Sequence, residues 1–184
     1  MRIPLTVAMR SLLPLCTLLL LGLASGCSHY QLGTEGKLAF HTLYIAPVEN
    51  KAKLPQAVAV ITNQLREVFI HDGRVTVVDS PADADATLTV SLATYGRGVT
   101  TARPDDTGLA RKFNLELVAH CTLRDNRTGT VLFENRPVAA QQQIFATATP
   151  HDADSVQQQA EYQALPLLAT SLAQKVAHTT LDVW

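Results

Sequence analysis

Apolar residues along this chain follow three rhythms: a mostly apolar run, strict alternation, and recurrence every three to four residues. The mostly apolar run comes first, over residues 12–23, and is rich in leucine. Farther on, Leu43, Ile45 and Val48 favour a strand over residues 41–48, with Pro47 marking its end or an edge position. Pro55 then opens a helical pattern. Val58, Ile61, Leu65, Val68 and Phe69 share one face of it, and Gln56, Asn63, Arg66 and Glu67 lie opposite. Asp72-Gly73 is a helix stop, and Val75, Val77 and Val78 mark a short strand over residues 74–79. Strand, helix and strand in that order predict a parallel pair joined by a right-handed crossover.

Residues 87–95 alternate, with Leu88, Val90 and Leu92 pointing one way and Thr87, Thr89, Ser91 and Tyr95 the other. Residues 96–110, with three Gly, one Pro and two Asp, read as a long connection. Residues 111–125 predict the longest strand. Its apolar face holds Phe113, Leu115, Leu117, Ala119, Cys121 and Leu123, and its polar face Asn114, Glu116, His120, Thr122 and Arg124. Residues 125–129 form a tight turn, after which residues 130–138 pair back. Residues 141–151 read as irregular. Asp152 or Asp154 then caps a closing helix whose apolar face is Val156, Ala160, Leu165, Leu168, Leu172 and Val176. Pro166 lies inside that pattern and is expected to kink or interrupt it. The elements predict an α+β fold: a two-layer sandwich, with both amphipathic helices packed on one face of a mixed four- to five-stranded sheet. They form one domain over residues 41–184, with no internal repeat.

The leading apolar run follows Arg2 and Arg10 and ends in the small residues Ala24, Ser25 and Gly26, directly before Cys27. This is the layout of a secretory signal peptide over residues 1–26, too short to span a bilayer as a helix. A cysteine immediately after the small residues resembles the bacterial lipobox, in which that thiol is acylated and becomes the first mature residue. Residues 28–40, with two Gly and no sustained period, read as a tether.

The formal net charge of −1 offers none of the basic excess of a nucleic-acid binder. Of the three cysteines, Cys16 leaves with the signal and Cys27 is the lipid site, so Cys121 alone remains. One thiol makes neither an internal disulfide nor a zinc site, and Cys121 reads as a small core residue. The six histidines form no metal-ligand pair, and there is no nucleophile elbow and no phosphate-binding glycine loop. Asp83 and Asp85 are close in sequence but sit in an alanine-rich turn, a weak setting for a catalytic acid pair. No catalytic residue, metal or cofactor is expected.

One charged feature stands out. Arg97, Arg103, Arg111 and Lys112 cluster in and beside the long connection, facing Asp105 and Asp106 in sequence. If the flanking strands pair as a hairpin, these cations gather at one end of the sheet. There they are candidates to hold phosphate or carboxylate groups of an anionic ligand. The competing reading is an ordinary solvated loop. A second feature is the polar sheet face carrying Thr87, Thr89, Asn114, Glu116, Thr122 and Arg124, available to water or to the wall of a partner.

Several segments together resemble the LPS-assembly lipoprotein family, LptE. Gly26-Cys27-Ser28-His29-Tyr30-Gln31-Leu32 is similar to that family's opening. Ala46-Pro47-Val48-Glu49-Asn50 followed by Leu54-Pro55 resembles its helix-entry segment. Ala82-Asp83-Ala84-Asp85-Ala86-Thr87-Leu88 resembles its entry into a strand, and the residues from Leu123 to Leu132 its Thr-Gly hairpin. The closing helix before Trp184 also fits. The resemblance implies two helices against a mixed sheet, a lipid anchor in the outer membrane facing the periplasm, and a large β-barrel partner, LptD, which these lipoproteins plug. It further implies lipopolysaccharide binding through basic residues near one end, for which Arg97, Arg103, Arg111 and Lys112 are candidates by location. Ser28 after Cys27, rather than Asp, agrees with sorting to the outer membrane. The alternative readings are a lipoprotein activator of a periplasmic peptidoglycan synthase, with a peptidoglycan-binding or curli-secretion-like module as a variant, and a lipid-anchored hydrolase. The hydrolase would need His120, Ser91 or an Asp brought together in a pocket.

Overall fold

The structure, a computed structural model, describes residues 38–101, 110–147 and 153–182, all within the unit Lys37–Trp184. Six strands and two long helices follow one another. They are β1 (Thr42–Ile45), β2 (Glu49–Asn50), α1 (Pro55–Asp72), β3 (Thr76–Val78), β4 (Ala86–Thr101), β5 (Ala110–Asp125), β6 (Val131–Thr147) and α2 (Ala153–Leu181). A single turn of 3-10 helix, Pro81–Asp83, precedes β4. The strands form one mixed sheet in the order β3-β1-β4-β5-β6, with β2 pairing parallel to β4. β1 lies parallel to both β3 and β4, so the parallel pair expected across α1 is present. From β4 onward the sheet is an antiparallel meander.

The core lies between the helices and one face of this sheet. Ala57, Ile61, Leu65 and Phe69 of α1 are fully buried. Leu168, Leu172 and Val176 of α2 are fully buried too, as are Leu88, Val90 and Leu92 of β4 and Leu117, Ala119, Cys121 and Leu123 of β5. α1 ends where the sequence stops it: Gly73 sits at φ 73°, and its N–H bonds the Phe69 carbonyl at 3.3 Å. A positive φ at this place suits glycine because it has no Cβ to clash.

Several expectations are corrected. The sheet has six strands rather than four or five, because the chain pairs once more, briefly, as β2 just beyond the first predicted strand. Phe40, assigned to the tether by composition, is 1% exposed and belongs to the core. The connection expected over residues 96–110 gives up both its ends to strand, since β4 runs to Thr101 and β5 starts at Ala110. β6 rather than β5 is the longest strand, with 17 residues against 16, because the Gln-rich stretch expected to be irregular pairs with β5 out to Thr147.

Tyr95 changes face for a local reason. The β4–β5 register shifts between Leu92 and Thr94, so one extra residue enters β4 and the inward–outward order reverses beyond it. Pro166 does not interrupt α2, which is helical from Ala153 to Leu181. Proline removes one N–H, freeing the carbonyl of Tyr162 four residues earlier. Both Pro166 and Tyr162 lie on the exposed side of α2, away from the core.

Basic end and exposed sheet face

The β4–β5 pairing brings Arg97 and Lys112 toward the end of the sheet at which β4 ends and β5 begins. It does not bring them to one surface. Arg97 lies beyond the register shift and faces α2, where its Nη1 is 3.1 Å from Glu161 Oε1. Glu161 also accepts from Tyr95 Oη at 3.2 Å and Gln157 Nε2 at 3.0 Å, so the carboxylate is held by three donors from two elements. Burial, then the neighbouring Glu161 charge, pushes the Tyr95 hydroxyl up to about 12. Lys112 lies on the opposite, outer face of the sheet, its Nζ 5.6 Å from the ring centroid of Phe145. Phe145 is 68% exposed. Arg103 and Cys27 lie outside the described residues, as does the side chain of Arg111.

The other end of the outer face carries a groove of about 480 Å³ lined by Thr87, Thr89, Thr122, Arg124, Asn126 and Val131. Its polar groups partly bond one another: Thr87 Oγ1 donates to Asn126 Oδ1 at 3.0 Å, and Thr122 Oγ1 accepts the Asn135 N–H at 3.0 Å. Gln141 and Glu116 bond across β5 and β6 farther along the same face. No helix of the described residues packs on this side.

The residues weighed for catalysis take other roles. Ser91 and His120 are cross-strand partners in the β4–β5 register, yet Ser91 Oγ is buried without a hydrogen-bond partner. His120 Nδ1 lies 3.2 Å from the Asn135 carbonyl instead. Asp85 is structural: its Oδ2 accepts the N–H groups of His41 and Thr42 at 2.8 and 3.0 Å, which hold its carboxyl below the usual range. Asp83 belongs to the exposed 3-10 turn. Cys121 is fully buried and its thiol is pushed up to about 12 by burial alone, so it is an inert packing residue. Among the described residues, no three His, Cys, Asp or Glu are grouped to hold a metal, and no helix is long and apolar enough to cross a membrane.

The family model for LptE, described as lipopolysaccharide-assembly, matches residues 40–179. The chain belongs to the LptE family. That match takes in the basic end, the outer sheet face and both helices of this LptE-family protein. The family is one of non-enzymatic accessory lipoproteins of the cell envelope, tied to lipopolysaccharide transport. No curated protein matches the chain significantly. Among solved structures, a hypothetical protein from Chlamydia trachomatis is 8% identical with a TM-score of 0.51, over 79% of this chain and 98% of that one. A minor lipoprotein from Acinetobacter baumannii is 14% identical with a TM-score of 0.47, over 79% of this chain and 95% of that one. An uncharacterized lipoprotein B from Nitrosomonas europaea is 15% identical with a TM-score of 0.49, over 77% and 84%. The first of these shares the fold.

Sequence reading missed the Glu161 cluster. Glu161 looks like one more polar helix residue, and only the register shift in β4 turns Tyr95 and Arg97 toward it. Break of alternation at Ala93-Thr94, where two small residues follow Leu92 before the aromatic, is the one signal in the sequence.

Proposed function

We propose that this protein is an outer-membrane lipoprotein, anchored through an acylated Cys27, that plugs and assists assembly of the LptD β-barrel and binds lipopolysaccharide on its way to the surface. The observation that carries this reading is the family match over residues 40–179. The polar sheet face, free of helices among the described residues, is a surface suited to the interior wall of a barrel. Burying it there would hold the wall in its folded shape during assembly. Lys112, with Arg103 and Arg111 close by in sequence, supplies the positive charge for lipopolysaccharide phosphates. Arg97 contributes only if it leaves Glu161, since a guanidinium already paired to a carboxylate has less to offer an anion. Anchoring by more than one acyl chain on Cys27 would be durable where a single chain is marginal.

The test is a detergent pull-down of the tagged full chain from its own envelope, with mass spectrometry of what accompanies it. A stoichiometric large β-barrel carrying lipopolysaccharide is the expected result. Recovery of an inner-membrane peptidoglycan synthase without a barrel would replace this reading with that of a synthase activator. For the basic end, Lys112→Glu is expected to weaken lipopolysaccharide binding, and undiminished affinity removes Lys112 from the site.

A further inference from the structure

A second recess lies on the helix side of the sheet, between the start of α1, β4 and the first half of α2. Its volume is about 410 Å³, and its polar lining is Gln56, Tyr95, Arg97, Gln158, Glu161 and Tyr162. From this lining we infer a binding site for a neutral saccharide unit, a pyranose of a glycan chain.

The charges point away from an ion. Arg97 and Glu161 are opposite in sign and 3.1 Å apart, so the recess has no net charge to offer. An arriving anion would meet the Glu161 carboxylate, and an arriving cation would meet Arg97. Glu161 is in any case occupied by three donors, from Arg97, Tyr95 and Gln157, which fixes the floor of the recess. Such a network is rigid before any ligand arrives, so binding costs little further ordering.

What remains unfilled is neutral. The side-chain amides of Gln56 and Gln158 bond no described residue, and each supplies both donors and an acceptor. Sugar hydroxyls, which also donate and accept, are their natural complement. Beside them Tyr162 is 67% exposed, a large ring left in water at the mouth of the recess, with Leu54 and Leu165 adjoining. A flat apolar ring edged by amides matches the two-sided chemistry of a pyranose, which has a C–H face and a rim of hydroxyls. Aromatic side chains with one apolar face and one polar end suit such half-wet contacts. The site is distinct from the outer-face Lys112, and the inference does not rest on how that cation is used.

Two glycans present this chemistry in a cell envelope: the sugars of a lipopolysaccharide core and the glycan strand of peptidoglycan. Both can be offered to the full chain in detergent micelles. The probes are a dephosphorylated core oligosaccharide and the chitin trisaccharide, followed by NMR of labelled tyrosine rings and glutamine side-chain amides. The expected result is saturable shifts of Tyr162, Gln56 and Gln158 signals at millimolar concentrations of one probe, which names the source. Tyr162→Ala, at an exposed position that folding tolerates, is expected to weaken that binding by about five- to tenfold. Gln158→Leu, also exposed, is expected to weaken it as well. Absence of shifts with either probe at tens of millimolar overturns the inference, as do shifts that Tyr162→Ala leaves unchanged. Because the core probe carries no phosphate, its failure leaves the barrel pull-down and the Lys112 result standing on their own.

Discussion

Asp85 ties the first strand of the domain to the entry of another, 43 residues away in sequence. Its carboxylate accepts two backbone N–H groups from residues 41 and 42, and its own N–H donates to Thr42 Oγ1 at 2.7 Å. Arg127 approaches from the hairpin turn at 3.7 Å. These donors favour the charged form and depress the folded-state pKa below the ordinary carboxylate value. The stability that results is present above the unfolded-state pKa and is lost as pH falls through the depressed folded value. Asp125, which accepts the N–H groups of Arg127 and Thr128, shifts in the same direction for the same reason. Asp85→Asn is therefore expected to lower the melting temperature at neutral pH, with the gap to the parent closing in strongly acidic buffer. Thermal melts across the acid range check it, and a gap that does not close would remove the carboxylate from this role. At the recess, Glu161→Gln is expected to bring the Tyr95 pKa down from about 12 while leaving it above the usual tyrosine value, because burial is the larger cause. Ultraviolet titration of the phenolate reads this directly.

At the scale of elements, legibility followed how local the signal is. α1 could be read almost to the residue because Pro55, a one-sided apolar stripe and Gly73 all lie within it. The turn after β5 was legible for the same reason, since Asp125 Oδ1 caps the N–H groups of residues 127 and 128 from inside the turn itself. β6 beyond Val138 was not legible. Its inward positions are Val138, Ala140, Gln142 and Ile144, too small and too polar to alternate visibly, and pairing to β5 decides the conformation. The orientation of Arg97 was hidden by the shift after Leu92, because a period of two cannot show a residue that breaks it. In α2, the apolar face outweighs Pro166: Leu165, Leu168 and Ala169 bury themselves around it while the proline stays outside. Pro166→Ala restores the missing N–H to the helix. It is expected to stabilise the protein by about 2 kcal/mol, the roughly 3 kcal/mol helix cost of proline less what proline returns by stiffening the unfolded chain. Leu168→Ala, half a turn away and in the core, is expected to cost about 2–5 kcal/mol. Denaturant titration of both variants separates the two faces of the helix.

Over the whole molecule, one exposed cation joins the far ends of the two helices. Arg74 bonds Asp72 at the end of α1 at 2.7 Å and Asp182 just past α2 at 3.0 Å, and His178 is 3.3 Å from the same Asp182. Arg74 and Asp182 are each more than 40% exposed, so water and salt weaken the tie. Arg74→Ala is expected to cost no more than about 1 kcal/mol at low ionic strength and less in molar salt, a difference that chemical denaturation at two salt concentrations resolves. The sheet order has a larger consequence, for the sequence of events in folding. β4, β5 and β6 follow one another as neighbours and close through short loops, so they can zip together early. β1 is synthesised before all of them yet lies between β3 and β4, so its first strand partner, β3, exists only after α1 has been made. A chain emerging amino terminus first therefore carries Thr42–Ile45 without a strand partner until β3 begins at Thr76, and Asp85 is the latch that shuts when β4 docks on its other side.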